Sequence, residues 1–140
     1  LCEDGHDSPC ADGRPGGLAS FDQFVRTWVP QITASPAFQQ DGVLIITADE
    51  GEISPTSANA CCGEGPSLNA VLPGLLGLGG GRIGALVIAP RYVTPGTTST
   101  HPYNHYSLLR TVEDVFGLSH LGYAGISQQA SFGPDVFNLP

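Results

Sequence analysis

Lysine is absent from the 140 residues. Five arginines are the whole basic complement, against thirteen acidic residues, so the net charge is −8. So few cations cannot build the broad basic face that grips a nucleic-acid backbone, and an anionic membrane surface is disfavoured for the same reason. No apolar run approaches the roughly 20 residues that span a bilayer. Phosphate-binding loops of the G-x-x-x-x-G-K-[ST] type and the G-x-G-x-x-G dinucleotide fingerprint are missing; GLGGGR is only glycine-rich. Ser54, Ser57 and Ser107 do not sit in a G-x-S-x-G elbow, so a serine hydrolase of that kind is unsupported. The C-x2-C spacing of structural zinc sites is missing too. A negative chain can still bind phosphate where a metal ion supplies local positive charge.

What is present suits one domain or part of one: 41% of the residues are apolar, enough for a core. The chain opens at Leu1 with LCEDGHDSPC and shows neither an initiating Met nor a secretory leader pattern. These residues read as the middle of a domain, so the 140 residues are expected to be the C-terminal part of something longer, cleaved or truncated. Four cysteines, Cys2, Cys10, Cys61 and Cys62, lie in Gly- and Pro-rich loops and suggest two disulfides and an oxidising compartment. A vicinal Cys61–Cys62 bridge is strained, so the 61–62 loop is expected to be tied to the 2–10 loop. A zinc site of four thiolates is the rival.

Residues 1 to 17 read as loop. From Leu18, the residues Phe21, Phe24, Val25, Trp28, Val29 and Ile32 continue one apolar stripe at helical spacing. Pro30 is expected to kink that helix or end it near Val29, and Ser35-Pro36 marks a turn. Residues 43–47 and 84–89 read as two buried strands separated by an irregular, functional or mobile segment at 51–82. A helix is expected near 105–116, with Asn104 as N-cap, Leu108, Leu109, Val112, Val115 and Phe116 as its buried stripe, and Gly117 ending it in the left-handed conformation. The tail beyond Tyr123 is expected to be coil. Strands apolar on both faces belong to parallel sheets covered by helices, where functional groups gather beyond the strands' carboxyl ends.

Asp49 and Glu50 lie just past the carboxyl end of the first strand. Adjacent carboxylates repel, so they need a cation or a proton. They are either metal ligands or a solvated pair opening a loop. Hard oxygen donors suit Ca, Mg or Mn, and Zn or Fe where imidazoles join. His6, between Asp4 and Asp7, suits a phosphate contact or a metal, or is an exposed loop histidine. His105 opens the second long helix, whose free N–H groups favour anions, or is an ordinary first-turn histidine. His101 and His120 read as structural or exposed.

Taken together, LCEDGHD, SPAF, VLIITADEGE and YNHYSLLRTVEDVFGLSHLGYA resemble the phosphoesterase family of the alkaline phosphatase superfamily, which holds bacterial phospholipases C and secreted acid phosphatases. ACCGE at 60–64 is similar to secreted actinobacterial members. The resemblance implies a three-layer α/β/α fold with a largely parallel sheet, and a chain that is the C-terminal portion, residues 1–140, of a single phosphoesterase domain. It implies a divalent metal ion, a phosphate-ester substrate and a phosphoenzyme on a Thr or Ser hydroxyl. By position Asp49 and Glu50 match the acidic metal ligands, and His6 and His105 the catalytic histidines, with Asp7 orienting His6 and Asp4 beside it. The family's nucleophile and N-terminal ligands would lie before Leu1. The chain alone is therefore expected to be inactive unless an N-terminal fragment of the same protein stays associated.

Hydrolysis of phosphomonoesters by a secreted, acid-phosphatase-type enzyme is the leading expectation. A phospholipase C acting on phosphodiesters is the alternative within the enzyme class, with the 51–82 loop as the wall of the leaving-group pocket. A non-catalytic module that binds calcium or a partner on the same scaffold is the alternative of another class.

Overall fold

A computed structural model describes residues 2–51 and 80–138. The expectations for Ser54, Ser57, ACCGE, Cys61, Cys62 and most of the 51–82 segment fall outside these residues. The chain divides into two compact units, Leu1–Val43 and Leu44–Pro140.

In the first unit Cys2 and Cys10 are buried and joined by a disulfide, with Cα atoms 5.3 Å apart. This corrects the expected pairing with the 61–62 loop: the short EDGHDSP loop between Cys2 and Cys10, a separation of 8 in sequence, is enough to bring the two sulfurs together. Gly16 fits against that loop at φ 63°. A Cβ there would collide with the Asp7 carbonyl oxygen and stand 2.5 Å from Cys10 Sγ. Helix α1, Gly17–Thr33, follows at once, and Gly17 N–H donates to the Asp7 carbonyl at 2.7 Å.

Of the two expected outcomes, kinking α1 or ending it near Val29, the second does not occur: the helix runs on through Pro30 to Thr33. Pro30 lies near the helix end, where a missing N–H costs one bond and the next turn is held from elsewhere. Thr33 Oγ1 donates to the Val29 carbonyl at 2.8 Å, and Ala34 N–H to the Pro30 carbonyl at 3.0 Å. Ser35 then caps a second helix, α2 (Pro36–Asp41), by accepting from Phe38 N–H at 3.2 Å. The expected turn at Ser35-Pro36 is thus a helix start: Ser at the cap and Pro at the first position suit one. The apolar stripe of α1 also splits. Phe21, Val25 and Val29 are half-buried, whereas Leu18, Phe24, Trp28 and Ile32 are exposed.

In the second unit β1 (Leu44–Thr47) pairs with β2 (Ala85–Ile88), Leu44 opposite Ile88 and Thr47 opposite Ala85. The pair is antiparallel, where a parallel one was expected. A continuous apolar run reports that both faces want cover; it does not encode strand direction. Burial is also shallower than expected: β1 is half-buried over Leu44–Ile46, and Ala85 and Leu86 of β2 are exposed. The described residues therefore form helices and a two-stranded antiparallel sheet. Past β1 the connection is held by Thr47 Oγ1 donating to the Gly84 carbonyl at 3.0 Å and Gly51 N–H to the Gly80 carbonyl at 2.5 Å.

Helix α3, His105–Val115, is capped by Asn104, as expected, in a reciprocal box with Ser107. Gly117 follows at φ 63°, also as expected. The buried face of α3 is a correction. Leu109, Val112, Val115 and Phe116 are exposed, and the helix buries Ser107, Thr111 and Glu113 instead. These polar groups face the tail, which includes a 3₁₀ turn at Gly122–Gly125 packed on α3. Thr111 Oγ1 accepts from Phe132 N–H at 2.8 Å, and Glu113 Oε1 from Leu121 N–H at 3.0 Å. Periodicity finds apolar stripes and is blind to a face whose hydroxyls are answered by main chain. No helix among the described residues is long and apolar enough to cross a membrane.

Candidate functional site

The candidate residues fall in both units. In the first, the main chain of the 4–7 turn holds the histidine: His6 N–H donates to Asp4 Oδ1 at 3.0 Å. That bond draws the Asp4 carboxyl below its ordinary value. His6 Nδ1 lies 3.3 Å from Asp7 Oδ1, with both side chains largely exposed. A carboxylate can only accept, so Nδ1 carries a proton in that contact.

In the second unit β1 delivers Asp49 and Glu50 to the surface two and three residues past its end. Asp49 Oδ1 accepts from Glu50 N–H at 3.0 Å, a local turn that fixes the first carboxylate relative to the chain. Capping by Asn104 sets the first residue of α3. His105 Nε2 there donates to the Asp49 main-chain carbonyl at 2.7 Å. A carbonyl can only accept, so this bond assigns the proton to Nε2 and leaves Nδ1 with the lone pair. Two distant stretches of sequence thus meet: Asp49 and His105 are in contact, through main chain on one side and imidazole on the other.

The donor chemistry at this edge, two carboxylates and an imidazole fixed through its other nitrogen, fits a divalent ion. The three side chains do not close as a ring of ligand atoms. Among the described residues, the one group of three donors drawn together is Cys2, Cys10 and Asp12. Its sulfurs are joined to each other and hold no thiolate, so it offers a metal only the Asp12 carboxylate. Asp12 is already engaged: the Arg14 main-chain N–H at 3.1 Å, then Arg14 Nε at 2.8 Å, donate to it and hold its carboxyl below the ordinary value. The same disulfide removes two donors from the four-thiolate zinc alternative.

The other two histidines have structural partners. His120 Nε2 bonds Asp114 Oδ1 at 2.6 Å. His101 packs against Tyr103, ring centroids 4.4 Å apart and tilted by 43°, beside an open hollow lined also by Ser99 and Asp135.

Behind α3 lies a network that the sequence reading missed. Asp135 accepts from Ser99 Oγ and from Tyr103 OH, the latter at 2.7 Å; Tyr103 OH in turn accepts from Gly133 N–H at 2.8 Å. The Ser99 hydroxyl, then Tyr103, hold the Asp135 carboxyl below its ordinary value. Burial, then the Asp135 contact, raise the Tyr103 phenol. Gln129 Nε2 reaches Asn104 Oδ1 and, at 3.3 Å, Ser107 Oγ. Nothing local in SQQAS or GPDVF marks these residues, because their partners lie 22 to 36 positions away.

No curated protein and no solved structure matches the chain. A family model, described as the Phosphoesterase family, matches residues 3–119. That span holds the 4–7 turn, the edge beyond β1 and the whole of α3, which is most of the sequence, and the chain therefore belongs to the Phosphoesterase family.

Proposed function

We propose that this chain supplies the histidine and acidic groups of a metal-dependent phosphomonoesterase of acid-phosphatase type. Membership of the family supports phosphate-ester hydrolysis. The observation that carries the assignment to residues is the bond from His105 Nε2 to the Asp49 carbonyl. An imidazole that spends one nitrogen on a main-chain acceptor has its tautomer fixed and the other nitrogen left for chemistry.

Asp49 and Glu50 are the residues that would hold a divalent ion, of which Mg, Mn, Ca, Zn and Fe all suit carboxylate and imidazole donors. Bound there, the ion would supply charge stabilisation at the phosphoryl oxygens and activate the nucleophile. The chain's own residues do the rest. In this reading His105, its Nε2 spent on the Asp49 carbonyl, serves the phosphoryl group through Nδ1 as base or, when protonated, as hydrogen-bond donor. His6 is read as the acid that, in its imidazolium form, gives a proton to the leaving oxygen. The nucleophile is a Thr or Ser hydroxyl supplied from upstream sequence, with the ester P–O bond broken as the phosphoenzyme forms. In this reading residues 1–140 are the C-terminal portion of a single domain whose complete form is a three-layer α/β/α sandwich with a largely parallel sheet. The Cys2–Cys10 disulfide supports a secreted or extracytoplasmic setting.

The intact protein should release orthophosphate from p-nitrophenyl phosphate faster than it cleaves a phosphocholine lipid, and lose that activity to a chelator. Reversal of the preference selects the phospholipase C reading. His105→Ala should lower kcat by about 10²- to 10⁴-fold. If the triple alanine variant of Asp49, Glu50 and His105 kept both metal and activity, the assignment fails and the binding-module reading replaces it.

A further inference from the structure

We propose that Gln129 is a positioning residue for His105, acting through the cap of α3 from a segment that lies beyond the family match. This rests on the reading of His105 as a member of the hydrolytic site. The match ends at residue 119. Gln129 is 9% exposed, although its side chain is an amide from a loop. Burying an amide costs free energy unless its hydrogen bonds are met. Its Nε2 meets them on the two members of the capping box, Asn104 Oδ1 and Ser107 Oγ. Asn104 Oδ1 already accepts from Ser107 N–H at 3.0 Å, and Ser107 Oγ from Asn104 N–H at 3.3 Å. Gln129 therefore ties together the two acceptors that define where α3 begins.

The residue set by that start is His105, whose ring must reach the Asp49 carbonyl across 56 positions of sequence. A frayed first turn would swing the imidazole away from that carbonyl and release its tautomer. The remainder of the tail reinforces the clamp: Phe132 N–H binds Thr111 one turn further along α3, and Asp135 binds Tyr103 just before the cap. These bonds share one direction of effect, which is to fix the first turns of the helix that presents His105.

The test uses the intact protein with Gln129→Met, which keeps volume and loses the donors, and Gln129→Asn, which keeps the amide and loses the reach. The readouts are the ¹⁵N imidazole spectrum of His105 and steady-state hydrolysis of p-nitrophenyl phosphate. In the folded variants the Nε2–H form of His105 should give way to a mixed tautomer population. The kcat should fall about ten-fold or more, with KM nearly unchanged. An unaltered His105 spectrum in either folded variant overturns the proposal. In the unsubstituted protein the Gln129 side-chain amide protons should exchange slowly, and exchange at the rate of an exposed glutamine overturns it whether or not the variants fold. A His105 spectrum that moves in a protein with no hydrolytic activity leaves the clamp standing and removes the phosphoesterase site. Activity with a fixed His105 spectrum does the reverse.

Discussion

Two residues carry consequences far larger than their side chains suggest. Glu113 is 3% exposed; one oxygen accepts from Leu121 N–H, and Oε2 has no hydrogen-bond partner among the described residues. An unanswered carboxylate oxygen is costly to bury. Glu113→Ala removes the acceptor for Leu121 N–H and should lower unfolding stability by about 1–3 kcal/mol in a urea titration. Gly16 matters for the side chain it lacks. Its φ of 63° and the Asp7 carbonyl beside it leave no room for a methyl group. Gly16→Ala should cost about 1–3 kcal/mol by the same titration and disturb the turn that holds His6.

Among the elements, α3 shows best what a sequence reveals. Its start was legible because Asn at the cap answers free N–H groups by local chemistry, and its end because glycine takes the left-handed conformation. Its buried face was not legible, since Ser107, Thr111 and Glu113 owe their burial to partners in the tail. Strand positions were read to within a residue from apolar runs, yet their antiparallel pairing depends on chain geometry that no run encodes. The candidate site was legible as residue types: acids after a strand, a histidine after a cap. The bond from His105 to a main-chain carbonyl was not, because a carbonyl has no sequence identity. Asn104→Ala should cost about 1 kcal/mol for the lost cap alone. The tail's hold on this helix is also pH-dependent. Ser131 and then His120 lower the Asp114 carboxyl, as Ser99 and Tyr103 lower that of Asp135. Carboxyls depressed on folding stabilise above the ordinary value of 3.8, and that contribution fades as pH falls through their lowered values. Amide exchange at Phe132 and Gly133 should therefore quicken relative to β1 below about pH 4.

At the scale of the molecule, a chain of net charge −8 and a phosphate ester repel each other. In the function proposed above a cation between them resolves the conflict, and the prediction is thermodynamic as well as kinetic. A divalent ion with orthophosphate should raise the melting temperature of the intact protein, because a ligand bound only to the folded state stabilises it. Asp49→Ala with Glu50→Ala should abolish that rise while leaving the metal-free melting temperature within a few degrees, since both side chains are exposed. The tail over α3 has a practical corollary for gene design. An expression plasmid trimmed at residue 119, where family membership ends, would discard Gln129 and every later anchor while keeping all the catalytic candidates. Such a product would look complete by homology and yet arrive with its best-placed histidine unsupported.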